Sequence, residues 1–273
     1  MSEAFPGMGT PSSPYLDLAK QVRTASGLPV MQAARITDAA TANFAVESGA
    51  LDMVGMVRPQ IADPHIISKL IAGHEDRIRP CVGAGLCVDR VDMGGDMICV
   101  HNISAGRESK YPDHYKTTAS PQRVVVVGGG PGGMEAARVA RLCGHEVILL
   151  EAADRLGGQI LLAAQAKSRR DIVGISDWLA AELDRLGVDL RYNTYAEKEG
   201  VIANKPNTVI LATGGIPQLR LDEGGENFAI SSWDAFALPQ PPKGRCLIYD
   251  EVGTHSGVSL AETLVAAGAD VEL

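Results

Sequence analysis

Hydrophobic and polar positions along this chain alternate between a helical and a strand period. Tyr15 to Thr24 repeats its apolar positions at helical spacing and ends at Gly27. Leu28 to Ala33 is a short apolar strand entered through Pro29, and Thr37 to Glu47 predicts a second helix, capped by Thr37 and stopped by Gly49. Leu51 to Val57 is a nearly continuous apolar run, the form of a parallel strand covered on both faces. Strand–helix–strand succession with short loops predicts an α/β fold. It fits either the end of a (β/α)8 barrel or an open doubly wound sheet. Two strands cannot close a barrel, so a barrel reading requires most of the barrel to be absent.

Periodicity fades between Arg79 and Arg107, a segment rich in glycine and cysteine, and Ser109 to Gln122 is polar and proline-containing, as a linker would be. Beyond it the pattern sharpens. Arg123 to Val127 is a β-branched strand, Gly128 to Gly133 a glycine turn, the next residues a helix through Leu142, and Glu146 to Leu150 another strand. Trp178 to Leu186 predicts a helix, Thr208 to Ala212 and Cys246 to Asp250 strands, and Ser259 to Ala267 a helix. Asp270 to Leu273 begins a strand and stops, so the C-terminal end reads as truncated.

Val124 to Gly133 places G-x-G-x-x-G between a strand and a helix. In that setting Gly128 permits the tight turn, Gly130 lets backbone approach a pyrophosphate and Gly133 allows close helix–strand packing. The helix start, with Pro131 and Gly132, offers free N–H groups and the positive end of the helix dipole to phosphate. Glu151 follows Gly133 by 18 residues, at the end of the next strand, where a carboxylate can accept hydrogen bonds from ribose hydroxyls. The expectation is a site for a dinucleotide.

Hydrophobic residues at 45% and charged residues at 21% are the balance of a folded globular chain, and aromatics at 4% leave the core to Ala, Val, Ile and Leu. A net charge of −8 with no long basic run argues against nucleic acid as a partner. No apolar stretch approaches the ~20 residues of a membrane span. Met1 to Pro14 lacks the layout of a signal peptide, so the expected location is the cytoplasm. The five cysteines are an odd number in a large chain, against a disulfide framework. Cys81, Cys87 and Cys99 cluster as metal ligands would, whereas Cys143 and Cys246 lie in apolar stretches and are expected in the core.

Two further segments resemble the two-dinucleotide-binding flavoproteins: Gly157-Gly158-Gln159 after Glu151, and Leu211-Ala212-Thr213-Gly214-Gly215 after a strand. The resemblance implies FAD as the cofactor, with NAD the lesser option, and Gly158, Gln159 and Gly214 against it. Such families insert a second glycine motif for NAD(P)H. Here the matching stretch, Leu247 to Gly257, lacks the pattern and carries Asp250 and Glu251, which would repel a pyrophosphate.

Arg79-Pro80-Cys81 through Cys87, then eleven residues, then Cys99-Val100-His101-Asn102 resembles the iron–sulfur segment of the trimethylamine dehydrogenase and 2,4-dienoyl-CoA reductase branch of the old yellow enzyme family. Val57-Arg58-Pro59 with Asp63-Pro64, and Gly106-Arg107-Glu108, extend the likeness over nearly the whole chain, nearest in form to N-methylproline and stachydrine demethylase-like members. It implies the end of an FMN-binding barrel over 1–78, an iron–sulfur segment over 79–108, a linker over 109–122 and a doubly wound FAD/NAD(P)-binding domain over 123–273. It also implies Cys81, Cys87 and Cys99 as ligands of an Fe–S cluster of the 4Fe–4S kind, and Ala34, Arg35 and Arg58 at the FMN phosphate. Alanine stands at Ala84, where the family has a fourth thiolate. That position would fall to solvent, Asp89, Asp92, Asp96 or His101, the other reading being a loop that has lost its cluster. The implied activity is flavin-dependent oxidation or reduction of a small substrate, by oxidative N-demethylation or NAD(P)H-linked enoate reduction. An electron-transfer protein or NAD(P)H would be its partner. Catalytic acids and bases would precede Met1. None is assigned to His65, His74 or His101, and His65 and His74 are expected on helix surfaces. The alternatives are a non-catalytic FAD- or ADP-binding module and an incomplete reading of a longer gene.

Overall fold

A computed structural model describes residues 5–219, 225 and 228–273. The chain divides into two compact units, one of residues 1–117 with 177–182 and one of residues 118–176 with 183–273.

In the first unit, helix α1 (Leu16–Ser26) ends on Gly27, whose φ of +64° suits a residue without a side chain. Strand β1 (Met31–Gln32), helix α2 (Ala39–Glu47) and strand β2 (Met53–Val54) follow, with β1 and β2 paired in parallel. Their core is Ala19, Ile36, Ala45 and Leu51. Both strands are shorter than their apolar runs predict. Among the described residues each pairs with the other alone, and Pro29 brings no N–H to a ladder. The cap of α2 is Asp38 rather than Thr37, its carboxylate accepting from the Thr41 N–H at 2.7 Å. Val57 opens helix α3 (Val57–Ala62) instead of closing a strand, with Pro59 tolerated in the first turn. After α4 (Ile66–Ile71) comes a 3-10 turn at Glu75–Arg77. His65 and His74 sit just before α4 and before that turn, not on a helix face. The cysteine segment, expected to be irregular, contains helix α5 (Leu86–Asp92), too short to show a period.

The second unit is built on a parallel four-stranded sheet. Its strands are β3 (Arg123–Val127), β4 (Glu146–Leu150), β5 (Asp189–Arg191) and β6 (Thr208–Leu211), in the order β5-β4-β3-β6. Val125 and Val126 of β3 and Leu149 of β4 are fully buried, as the unbroken apolar runs of β3 and β4 require of central parallel strands. Between β3 and β4 runs α6 (Pro131–Leu142), burying Gly133, Met134 and Ala137. Then come α7 (Gln159–Ala163), a 3-10 turn at Lys167–Ile172 and α8 (Val173–Arg185), which starts earlier than the predicted Trp178 and whose residues 177–182 count with the first unit. Next are α9 (Lys198–Ala203), whose Val201 packs on Val125 and Leu150, and α10 (Ser232–Ala237), opened by a capping box of Ser231 and Asp234. Strands β7 (Arg245–Leu247) and β8 (Asp270–Glu272) pair in parallel around α11 (His255–Ala266). Leu260 and Leu264 of α11 form a small core with Ala235, and Cys246 packs against it. Cys143 caps the end of α6 half-buried, its carbonyl accepting from the Thr118 N–H. Among the described residues no helix is long and apolar enough to cross a membrane.

Candidate functional site

The glycine turn of the second unit is fixed by backbone. Gly128 has φ +105°, and a Cβ there would stand 2.4 Å from the Ala212 carbonyl oxygen. A Cβ on Gly133 would stand 1.9 Å from the Gly128 carbonyl oxygen, so α6 lies against the turn at a spacing only glycine allows. Gly130 and Gly132 have open space where a Cβ would be. Pro131 takes the first helical position, where a missing N–H costs nothing.

Around this turn the predicted residues converge. The Glu151 carboxylate accepts from the Gly129 N–H at 2.6 Å and the Ala153 N–H at 2.8 Å, which pins it at the mouth of the turn. The Gly157 N–H donates to the Gly129 carbonyl at 2.9 Å, and Gly158, at φ +52°, would carry a Cβ 3.2 Å from the Gly130 Cα. Gln159 donates its amide to the Gly215 carbonyl at 3.1 Å, and Gly214 leaves room for it. Gly128, Gly130, Pro131, Gly132, Gly133, Glu151, Gly158, Gln159 and Gly214 thus lie around one mouth at the C-terminal ends of parallel strands, where open α/β sheets bind ligands. The cradle at Gly128 and Gly133 and the uncovered backbone at Gly130 fit the diphosphate half of a dinucleotide.

A cavity of about 310 Å³ opens beside Gln159. Its wall includes Ile160, Arg169, Trp233, Phe236 and Ser259, with Thr254 and His255 at the start of α11. Burial pushes the Arg169 guanidinium below its ordinary value. Of these wall residues only Gln159 belonged to a sequence motif. In the stretch lacking a second glycine motif, the Asp250 carboxylate accepts from the Val252 and Gly253 N–H groups, capping the loop ahead of α11 with negative charge.

In the first unit, Cys81, Cys87 and Cys99 line one pocket with Arg58, Ala84 and His101. Of the four side chains expected at the fourth ligand position, His101 lines it, and Asp89, Asp92 and Asp96 do not. Burial raises the Cys81 thiol above its ordinary value, opposed by the Gly83 N–H and then by the nearby Arg58 charge; burial and then Cys99 raise Cys87. Three thiols around a shared pocket are a donor set that fits an iron–sulfur group, and a metal binding as a thiolate complex would supply the charge that burial withholds. The loop rests on polar anchors. Buried Asp63 accepts from the Arg79 N–H at 2.7 Å, the His65 N–H at 3.0 Å and the Lys69 ammonium. Burial pushes its carboxyl up, but those donors outweigh it and hold it below the usual carboxylate range. Asn102 donates to the Ile61 carbonyl at 3.0 Å, and the His101 ring meets the Pro80 carbonyl at 3.2 Å.

Ala34 and Arg35 follow β1, Arg35 at φ +48°, and a Cβ on Gly83 would stand 2.5 Å from the Arg35 Nη1. Arg35 and Arg58 therefore both reach the cysteine loop. Sequence reading missed the part of Asp63, since one acidic residue before a proline gives no signal of what it anchors.

Residues 101–230 match the family described as pyridine nucleotide-disulphide oxidoreductase. The chain is 44% identical over its whole length to a probable N-methylproline demethylase of Rhizobium meliloti, covering 40% of that protein. It is 44% identical over 99% of its length to a multifunctional alkene reductase/demethylase of Caballeronia cordobensis, covering 39% of it. A 2-naphthoyl-CoA reductase structure superposes with a TM-score of 0.85 at 29% identity, over 96% of this chain and 40% of that one. The chain therefore spans about two fifths of the length of the relatives it matches.

Proposed function

The chain belongs to the old yellow enzyme-like family of NADH:flavin oxidoreductases and trimethylamine dehydrogenases, and from that premise we propose that it forms the FAD-binding and iron–sulfur part of a flavin-dependent oxidoreductase. The observation that carries this reading is the mouth at β3 and β4, with Gly133 against the Gly128 carbonyl and Glu151 tied to the Gly129 and Ala153 N–H groups. The first unit is read as the end of an FMN-binding barrel over 1–78 with an iron–sulfur segment over 79–108. A linker over 109–122 leads to the FAD/NAD(P)-binding domain over 123–273.

In this reading the turn N–H groups around Gly130 and Gly132 take the diphosphate of FAD, and Glu151 takes the adjoining ribose. Gln159 and Gly214 border the flavin side, next to the cavity walled by Trp233 and Arg169. Cys81, Cys87 and Cys99 hold the Fe–S group, with His101 or solvent at the position of Ala84. Ala34, Arg35 and Arg58 serve the FMN phosphate, where guanidinium donors make charge-assisted hydrogen bonds. The flavins and cluster, when bound, supply electron transfer to and from a small substrate; the chain's residues position them. Oxidative N-demethylation of a small amine is the activity we favour, because one relative is named a probable N-methylproline demethylase and another an alkene reductase/demethylase. NAD(P)H-linked reduction of an enoate is the second reading.

Anaerobic purification tests it. Protein released by heat should yield an adenine-containing flavin, and the intact protein should carry iron and acid-labile sulfide. Cys81→Ser should lose most of its iron while keeping the adenine flavin. Protein that neither carries nor takes up FAD or another adenine dinucleotide refutes the reading. Flavin that stays oxidised with both NADH and N-methylated amino acids marks a binding module instead.

A further inference from the structure

A histidine–carboxylate–histidine trio in the first unit belongs to neither the nucleotide mouth nor the thiol pocket. His65 Nε2 lies 2.7 Å from Asp113 Oδ2, and His114 Nε2 lies 3.7 Å from the other oxygen, Oδ1. The two imidazole centroids are 5.3 Å apart, with the ring planes tilted by 44°. All three ligand atoms fall within 4.8 Å of one another, and among the described residues no other group of three or more His, Cys, Asp or Glu side chains does so. From this convergence we propose that His65, Asp113 and His114 bind one divalent transition-metal ion, with Zn2+ the best match.

A His–Asp hydrogen bond needs one imidazole. The second stands beyond hydrogen-bond range of the carboxylate, yet within reach of a cation shared by all three. Two imidazole nitrogens and a carboxylate oxygen are donors suited to zinc, whereas calcium and magnesium favour all-oxygen sets. Three protein ligands leave the fourth position to water.

The frame is prepared on one side. The His65 N–H donates to Asp63, and its carbonyl accepts from the Lys69 N–H and the Ser68 hydroxyl, both at 2.9 Å. On the other side Pro112 stiffens the approach to Asp113. The His114 side chain is 84% exposed, which gives an ion an entry path. A bound ion would clip the polar segment after the cysteine loop onto the start of α4, closing a loop that spans 48 positions.

The probe is ZnCl2 added to the purified full chain after treatment with a chelating resin, with bound zinc counted by equilibrium dialysis. The three thiols are a second set of zinc donors, so the readout is the difference between wild type and variants with unchanged thiol titre. His114→Gln, at an exposed position, should lose one equivalent or bind it at least ~10-fold more weakly, since loss even of outer-shell partners costs that much. Asp113→Asn should do the same. In wild type, zinc should shift the ring signals of His65 and His114 in NMR spectra, and in His114→Gln it should leave that of His65 in place. Equal stoichiometry and affinity in wild type and both variants overturn the proposal, as do unshifted histidine signals at saturating zinc.

Discussion

Gly133→Ala will emerge from purification with little or no flavin and with a lowered unfolding midpoint. The new methyl would fall 1.9 Å from the Gly128 carbonyl oxygen, which is backbone and cannot swing aside. Relief requires α6 to move away from the turn. Overpacking of this kind costs about 1–3 kcal/mol, and here it falls on a helix that buries Met134 and Ala137 completely. The same displacement would draw the first N–H groups of α6 away from the mouth, so binding should suffer more than folding. Flavin-to-protein ratio after gel filtration, read beside a thermal melt, measures both effects. A Gly133→Ala protein that keeps stoichiometric FAD would show that the turn does not hold the diphosphate.

Glu151→Ala should carry the second-largest effect. It deprives the Gly129 and Ala153 N–H groups of a charged acceptor and removes the carboxylate proposed for the ribose. Hydrogen bonds to charged groups contribute about 1.5–3 kcal/mol when buried. The Ala153 bond is exposed, so the stability loss should be near the low end of that range. Affinity for FAD, measured by fluorescence quenching on reconstitution, should fall by about tenfold or more, which corresponds to at least ~1.4 kcal/mol. Glu151→Gln retains one carbonyl acceptor and should fall between wild type and alanine. Unchanged affinity in both variants would remove Glu151 from the site.

Much of the second unit was legible because its signals are local. Val124 to Val127 and Val147 to Leu150 are unbroken apolar runs, and the structure buries them as paired central strands. The motif glycines and Glu151 are joined by one strand–helix–strand unit, so spacing along the chain translates directly into spacing at the mouth. Helices α5, α7, α9 and α10 escaped because five to seven residues make fewer than two turns, too little for a period to register. Thr37 drew the cap assignment from Asp38 because both residue types cap helices and only the φ/ψ path decides between them. The cavity walled by Arg169, Trp233 and His255 gathers residues from separate elements, and no pattern of neighbours along the chain announces such a meeting. The approach of Arg58 to the three cysteines was hidden for the same reason.

Asp63 makes the entrance to the cysteine loop insensitive to pH over the range in which proteins are usually handled. Its carboxyl titrates lower in the folded chain than in the unfolded one, so its contribution is fully present above about pH 4 and fades only as acid passes through the depressed folded value. Metal lost between roughly pH 5 and 8 would then be lost at the sulfurs, by protonation of thiolates, with their scaffold still in place. Near-UV circular dichroism of Trp178, whose indole N–H donates to the Arg77 carbonyl at 3.1 Å and whose ring lies under the Arg79 guanidinium, should stay flat through that interval while iron content falls. Asp63→Asn should lower the Trp178 signal across the whole interval, because a neutral amide leaves the Lys69 ammonium without its charged partner and does not titrate.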